Sequence, residues 1–538
     1  MSDERPDIEG GSSGGSRSDR AGREPGMTRR RWLHGTGGLA VGAGLGLLGP
    51  PGRRAAWAQG SPRRGGTLRV ATVDKPVNMD PGYAQLYSSL QVYQNVFSKL
   101  VYVDDSGQFQ PGLARSWKQD SDKVWTFDLV DNAVFHNGEP CTAKDVAYTF
   151  ARLLDARNKL PMRVFFGPLE GVEAAGPQQV RFHLARPFAP LLATLAQATE
   201  IVNEKAIAAK DPKLFPVGTG PYRFVEWMKD DHITLERWDR YFRPGRPYVD
   251  RIMFYAPPDD TVRLTGLQTG RFNWIQTVPP QRIPELERAR DMTSSPGRPY
   301  FPFFFVLNAS RPPLADRRVR QAIAWALDRS EIVKLVYYSS HVVTAEPTPE
   351  PSPWATGVNV HKGGPDLARA RQLLSDAGVA SGLNLTYLVK SQVPVLVKTG
   401  EILREQLKKV GITLDVRPLE SGQYFEEWVA KRYEIAAAYW SVTVDPDSFY
   451  YPLQHSSSPW NFSGLKSEEA DKRLDAFRAA STPAARKTMY PELVRWFQEE
   501  GSLVVFSNEV QRYWMKSNVQ GSAPLPSLEL RFEDSWIS

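Results

Sequence analysis

Asp445-Pro446-Asp447 sets two carboxylates beside an aromatic loop, Tyr439-Trp440-Ser441-Val442-Thr443. Two readings stand: a turn, because Asp and Pro favour turn starts, or the polar edge of a cleft. Gly44-Leu-Gly-Leu-Leu-Gly49 matches the glycine spacing that lets a backbone approach a dinucleotide pyrophosphate. It follows no strand and opens no βαβ unit, so the match is a coincidence. The seven histidines (34, 136, 183, 232, 341, 361 and 455) are scattered without metal-ligand spacing. A lone histidine such as His136 reads as a structural hydrogen-bonder. No P-loop lysine, H-E-x-x-H or G-x-S-x-G is present. No residue set activates a nucleophile, so the expectation is a binding protein rather than an enzyme, with no cofactor and no metal.

The elements that must position such residues are clearest in the second half. Residues 316–338 have the pattern of one or two helices. Residues 366–377 read as a helix stopped by Gly378, and 395–410 as a helix stopped by Gly411. Strands are predicted at 383–389, 412–417 and 433–439, with a short helix at 425–431. This alternation is a three-layer α/β signature. Helices at 467–477 and 484–500 follow, then a buried-type strand at 503–507, and the tail from Gly521 has little pattern. In the first half, 67–73 and 124–129 read as strands and 87–100 as a helix. Thr142-Ala-Lys-Asp145 resembles a capping box that opens a helix through Leu154. Val217-Gly-Thr-Gly-Pro-Tyr222 is a turn region.

Residues 28–59 read as an address. Thr28-Arg29-Arg30-Arg31 precedes a glycine-rich apolar stretch, 35–49, and Ala56-Trp57-Ala58 offers small residues for a leader peptidase. The segment resembles a twin-arginine secretion signal cut between Ala58 and Gln59. About 15 residues, nearly half of them glycine, are too few to span a bilayer, which needs roughly 20. Residues 1–26 form a polar lead-in, with Met27 as an alternative start. The expected location is the periplasm.

Composition limits the partners. The chain has 538 residues and a formal net charge of +7, and residues 1–58 hold nine Arg and six acids, which leaves about +4 on the rest. That is no concentrated basic face, so nucleic acid is not an expected partner. The length implies two or more domains, and the single Cys141 allows no intrachain disulfide. Fifteen Trp, 20 Tyr and 25 Phe suit large cores and apolar clefts.

From Gly65 the chain resembles the extracytoplasmic solute-binding proteins of ABC importers, in the peptide/nickel/opine group, family 5. The resemblance rests on Gly65-Gly-Thr-Leu-Arg-Val-Ala71 with Met79-Asp-Pro81, then Leu113-Ala-Arg-Ser-Trp117 with Trp125-Thr-Phe127. Phe135-His-Asn-Gly-Glu-Pro140 with Asp145-Val-Ala-Tyr-Thr-Phe150 follows. Gly218-Thr-Gly-Pro-Tyr222, Asn308 and Asp316-Arg-Arg-Val-Arg-Gln-Ala-Ile323 complete the set. It implies an α/β, two-lobe periplasmic-binding-protein-like fold with the ligand cleft between the lobes. Lobe I would be 65–300 plus 508–538, with a subdomain inserted at about 90–210. Lobe II would be 303–505, and the chain would cross near 303–307 and 503–507. The implied function is capture of an oligopeptide or peptide-like solute by lobe closure, for delivery to an ABC permease, by a monomer. A periplasmic chaperone or chemosensory protein on the same fold is the alternative, and an exported hydrolase a more distant one.

The resemblance also implies a site. In peptide binders of the family, an aspartate shortly after the tryptophan of the lobe II loop takes the ligand's amino terminus. Here no acid follows Trp440 until Asp445. Trp440 would stack on the solute or pack in the core, and Thr443, Asp445 and Asp447 would add polar contacts. Lys390, after the strand at 383–389, would take a carboxylate or stand as a solvated strand end. Tyr83, Gln85 and Tyr87 would meet the solute from lobe I.

Overall fold

A computed structural model describes residues 61–538, apart from 84–86, 105, 199, 258, 380–381, 443, 481 and 523–528, and apart from the side chains at 87, 88, 300 and 421. The secretion-signal residues, Gln85, Thr443 and the Tyr87 side chain therefore lie outside the described residues. Three principal sheets organise the chain. A seven-stranded sheet runs in the order 292–294, 514–516, 274–275, 67–71, 251–255, 232–237, 222–228. Its first strand, Thr67–Ala71, is parallel to both neighbours, Arg251–Tyr255 and Trp274–Ile275. A six-stranded sheet runs 341–343, 503–511, 298–307, 435–439, 383–390, 412–419. A four-stranded antiparallel sheet, built from 114–184, forms a body of its own with helix Ala143–Leu154 packed on it.

The six-stranded sheet is buried on both faces, which is why its central strand is an unbroken apolar run. Phe303, Phe305 and Leu307 join one core cluster, while Phe304 and Val306 join the other. Two antiparallel crossovers link the sheets side by side. Arg298–Leu307 pairs with Leu503–Gln511 in the six-stranded sheet, and their outer continuations pair again as Ser294 with Trp514 in the seven-stranded one. The second crossover strand is four residues longer than the 503–507 expected.

Local signals behave as the sequence predicts in several places. Asp145 Oδ2 accepts from the Thr142 backbone N–H at 2.9 Å, at the start of helix Ala143–Leu154. Residues 316–338 form two helices, Arg317–Ala326 and Arg329–Val336. Helix Leu367–Asp376 ends with Gly378 at φ +76, a backbone state that only glycine adopts freely.

Two expectations are corrected. The helix expected over 87–100 spans only Tyr87–Tyr93, because the next residues dock on the Gly-Thr-Gly turn. Gly220 N donates to Val96 O at 2.8 Å and Tyr222 N to Asn95 O at 3.0 Å. A Cβ at position 218 would lie 2.2 Å from Val96 O, so the close approach requires glycine there. The tail is also ordered by burial rather than pattern. Glu529, Leu530, Phe532 and Glu533 are all buried, with Lys99 Nζ 2.7 Å from Glu529 and Arg243 2.8 Å from Glu533.

Candidate functional site

In open α/β sheets, ligands bind outside the carboxyl ends of the parallel strands. Both large sheets of this chain turn such ends toward one crevice. In the seven-stranded sheet, strand Thr67–Ala71 delivers Asp74. The turn is held by Thr72 N on Tyr255 O at 2.8 Å, Gln276 N on Ala71 O at 3.0 Å and Val73 N on Gln276 Oε1 at 3.0 Å. In the six-stranded sheet, the parallel strands Leu383–Lys390 and Ile435–Tyr439 deliver Lys390, Tyr439 and Trp440. Asp74 acts electrostatically on both Lys390 and Tyr439, so the ends of the two sheets come near one another.

Lys390 is half-buried, with its ammonium 4.1 Å from the Phe425 ring centre and 5.2 Å from that of Tyr424. Burial pulls its pKa down, and the charge of Asp74 opposes this. Among the described residues, no carboxylate lies at salt-bridge distance from Lys390, and a cation held on aromatic faces in this way is a charge available to a ligand anion. Tyr439 remains 47 % exposed, its ring stacked 5.3 Å from Phe303. Burial first, then the charges of Asp74 and Glu509, push its hydroxyl up to about 12.

Trp440 divides between cleft and core. Its backbone N–H donates to Pro302 O at 3.2 Å, and its indole N–H donates to Ser448 O at 3.0 Å. One edge meets Trp460 at 5.3 Å and the rim of the lobe II core, and the side chain stays half-buried. Tyr83 is tied within its own lobe: its hydroxyl donates to Asn158 O at 3.0 Å and its ring carries the Lys213 ammonium at 4.3 Å.

The two acids of the Asp445-Pro-Asp447 turn are corrected as ligand contacts. Both are buried, at 7 % and 5 % exposure. Asp445 is gripped by both terminal nitrogens of Arg486, and Asp447 by Nε and Nη2 of Arg478. Carboxylates saturated this way hold the loop rather than a solute. Two cleft residues went unread. Asp74 had a signal, an acid directly after the first strand. Glu509 had none, since the strand was expected to end at Ser507. Among the described residues, no cluster of three or more His, Cys, Asp or Glu could hold a metal ion. Burial pushes the Cys141 thiol far up, away from reactivity.

The body around the four-stranded sheet also touches lobe II. Ala189 N donates to Arg478 O at 3.0 Å, Arg186 pairs with Asp475 at 3.2 Å, and Phe165 meets Trp460 edge-on at 5.3 Å.

Residues 108–461 match the model of bacterial extracellular solute-binding proteins, family 5, middle region. The oligopeptide-binding protein AppA of Bacillus subtilis strain 168 is 25% identical over 506 residues, covering 89% of this chain and 92% of that protein. The glutathione-binding protein GsiB of Pectobacterium atrosepticum is 24% identical over 524 residues, covering 95% and 99%. The ABC transporter-associated periplasmic binding protein DppA of Helicobacter pylori, solved with peptide STSA, superposes with a TM-score of 0.80 at 24% identity, covering 88% of this chain and 98% of that one. The fold is therefore the two-lobe periplasmic-binding-protein type.

Proposed function

This chain belongs to the bacterial extracellular solute-binding proteins of family 5, and from that membership we propose that it captures an oligopeptide or peptide-like solute between its lobes and presents it to an ABC permease. The crevice carries this reading: strand ends of two sheets come near one another, and a half-buried lysine, without an ion-pair partner among the described residues, stands among aromatic rings. Ligand sites are mostly apolar with a few placed polar groups, and this one has that make-up. Relatives named for oligopeptide and glutathione binding support the solute class.

The contact set for the solute is Trp440 and Tyr439 as π surfaces, Lys390 for a carboxylate and Thr443 for a polar contact, all from lobe II. Asp74, with Gln85 and Tyr87, would meet the solute from lobe I, while Tyr83 is held by Asn158 and Lys213. The protein acts as a monomer and turns nothing over. Export by the twin-arginine route, with cleavage between Ala58 and Gln59, brings it to the periplasm. Among the described residues, no helix is long and apolar enough to cross a membrane.

Native mass spectrometry of protein freshly isolated from its own periplasm tests the reading. A retained mass that fragments as a peptide is the expected result. Retention of a sugar or lipid, or no binding of any peptide offered, overturns it.

A further inference from the structure

Glu509 lies on the crossover strand Leu503–Gln511, where the chain passes between the lobes. It pairs in register with Phe301 on one side and His341 on the other, so the three share a sheet face. Phe303 and Tyr439 continue that face toward the crevice, stacked at 5.3 Å. Glu509 and Asp74 both act on the Tyr439 hydroxyl, so both acids lie within electrostatic reach of it.

Among the described residues, the Glu509 carboxylate has no hydrogen-bond or ion-pair partner, and no cation acts on it. Its titratable neighbours are His341, Tyr337 and Tyr439. Burial pushes the His341 imidazole down to about 3, so it stays neutral and supplies no counter-charge. An unpaired acid in a half-buried position costs stability, and burial raises its pKa to about 7. Lys390, in the same six-stranded sheet, likewise has no carboxylate at salt-bridge distance among the described residues.

Two strands, 298–307 and 435–439, separate the strand of Glu509 from that of Lys390. The register sets Lys390 level with Ala438 and Phe304, and Glu509 level with Phe301, so the two are offset along the strands. Lys390 projects on the face of Leu388, and Glu509 on that of Phe303. Resting on the solute-binding reading above, we propose that Glu509 receives the cationic group of the solute. The role taken by an aspartate after the cleft tryptophan in peptide binders is thus moved to the crossover strand.

The test uses degenerate peptide libraries of fixed length, two to six residues, each with a free or an N-acetylated amino end. A mixture of non-peptide amines (diamines, free arginine, betaines) is run alongside. Each is offered to the mature protein and retained masses are read by native mass spectrometry. The expected result is retention of free-amine peptides, cut at least tenfold by acetylation and at least tenfold by Glu509→Gln. Glu509→Asp, which keeps the charge, keeps the preference for a free amine. Equal retention of acetylated peptides, or undiminished retention by Glu509→Gln, overturns the proposal. If peptides are ignored but non-peptide amines are retained and then lost on Glu509→Gln, the Glu509 assignment stands and the peptide reading falls. Retention of no amine at all sinks the Glu509 assignment itself.

Discussion

Arg478 holds Asp447 through two parallel hydrogen bonds, Nε to Oδ1 at 3.0 Å and Nη2 to Oδ2 at 2.7 Å, with both side chains buried. The guanidinium also lies over the Tyr451 ring, 3.2 Å from its centre, and the Arg478 carbonyl accepts Ala189 N from the four-stranded body. Asp447 thus fixes one side chain that joins its own loop, helix Glu468–Ala479 and the facing body.

Removing Asp447 strands that arginine. A buried charge that loses its partner costs about 3–5 kcal/mol. Asp447→Ala is therefore expected to lower the unfolding free energy by that amount, read by denaturant titration. Replacing both partners together, Asp447→Leu with Arg478→Met, restores most of the loss, because the apolar pair leaves no charge unpaired. A small loss for Asp447→Ala, below about 1 kcal/mol as for a surface pair, contradicts the buried-pair account.

This pair shows where the sequence stops being legible. The helix–strand alternation of 366–439 is written locally: a helix-stopping glycine at 378 or 411, then an apolar strand. Both glycines have positive φ, +76 and +85. The partners of Asp445 and Asp447 lie 41 and 31 residues away, on helices whose arginines look like any exposed arginine. Nothing nearby distinguishes a carboxylate that meets a solute from one that meets a buried guanidinium. Glu509 is hidden differently. After Leu503–Ser507 the apolar run gives way to Asn508-Glu509, so the strand reads as finished, while pairing with 298–307 carries it on to Gln511. Lys390 was legible because it ends a strand whose pattern is complete in itself.

Export provides a prediction that is independent of the fold. Changing Arg29 and Arg30 to Lys together keeps the charge but removes the guanidinium pair that a twin-arginine receptor reads. Fractionation is expected to show the precursor held in the cytoplasm, while the unaltered chain appears in the periplasm beginning at Gln59. Normal processing of the double variant, or a mature start upstream of Met27, refutes this route.

Glu509 makes both stability and binding depend on pH. Its folded pKa of about 7 lies above the ordinary glutamate value near 4.5. A raised pKa means the folded state holds its proton longer than the unfolded one. The stability it contributes is complete below pH 4.5 and is lost as pH rises through 7. Glu509→Gln is therefore expected to stabilise the unliganded protein at pH 8, by about 1–2 kcal/mol given partial access to water, and to change little at pH 4.5. Binding of a cationic solute runs the other way, since it needs the carboxylate, and strengthens between pH 6 and 8 in the wild type. His341 does not titrate in that window, because burial holds it near 3. A melting series across pH with and without the variant reads the first effect, and calorimetry reads the second. A pH-independent difference between the two proteins removes Glu509 from the account.

Trp440 tests the cleft from lobe II. Its indole is half-buried, donates to Ser448 O at 3.0 Å and packs edge-on against Trp460 at 5.3 Å. Truncation then has two separable costs. Loss of the hydrogen bond and of part of the packing destabilises the unliganded protein by about 1–2 kcal/mol, less than the 3–5 of a fully buried tryptophan. Loss of the exposed π face weakens solute binding by at least tenfold, about 1.4 kcal/mol. Trp440→Phe separates them: it keeps an aromatic face but loses the N–H, so affinity falls less than in Trp440→Ala while the missing bond to Ser448 remains visible in the melting curve. Calorimetry with the solute retained by the native protein measures the first cost, and thermal unfolding without solute the second. If Trp440→Ala binds as the wild type does and differs only in its melting temperature, the residue belongs to the core, and the π surface of the cleft reduces to Tyr439 and Phe425.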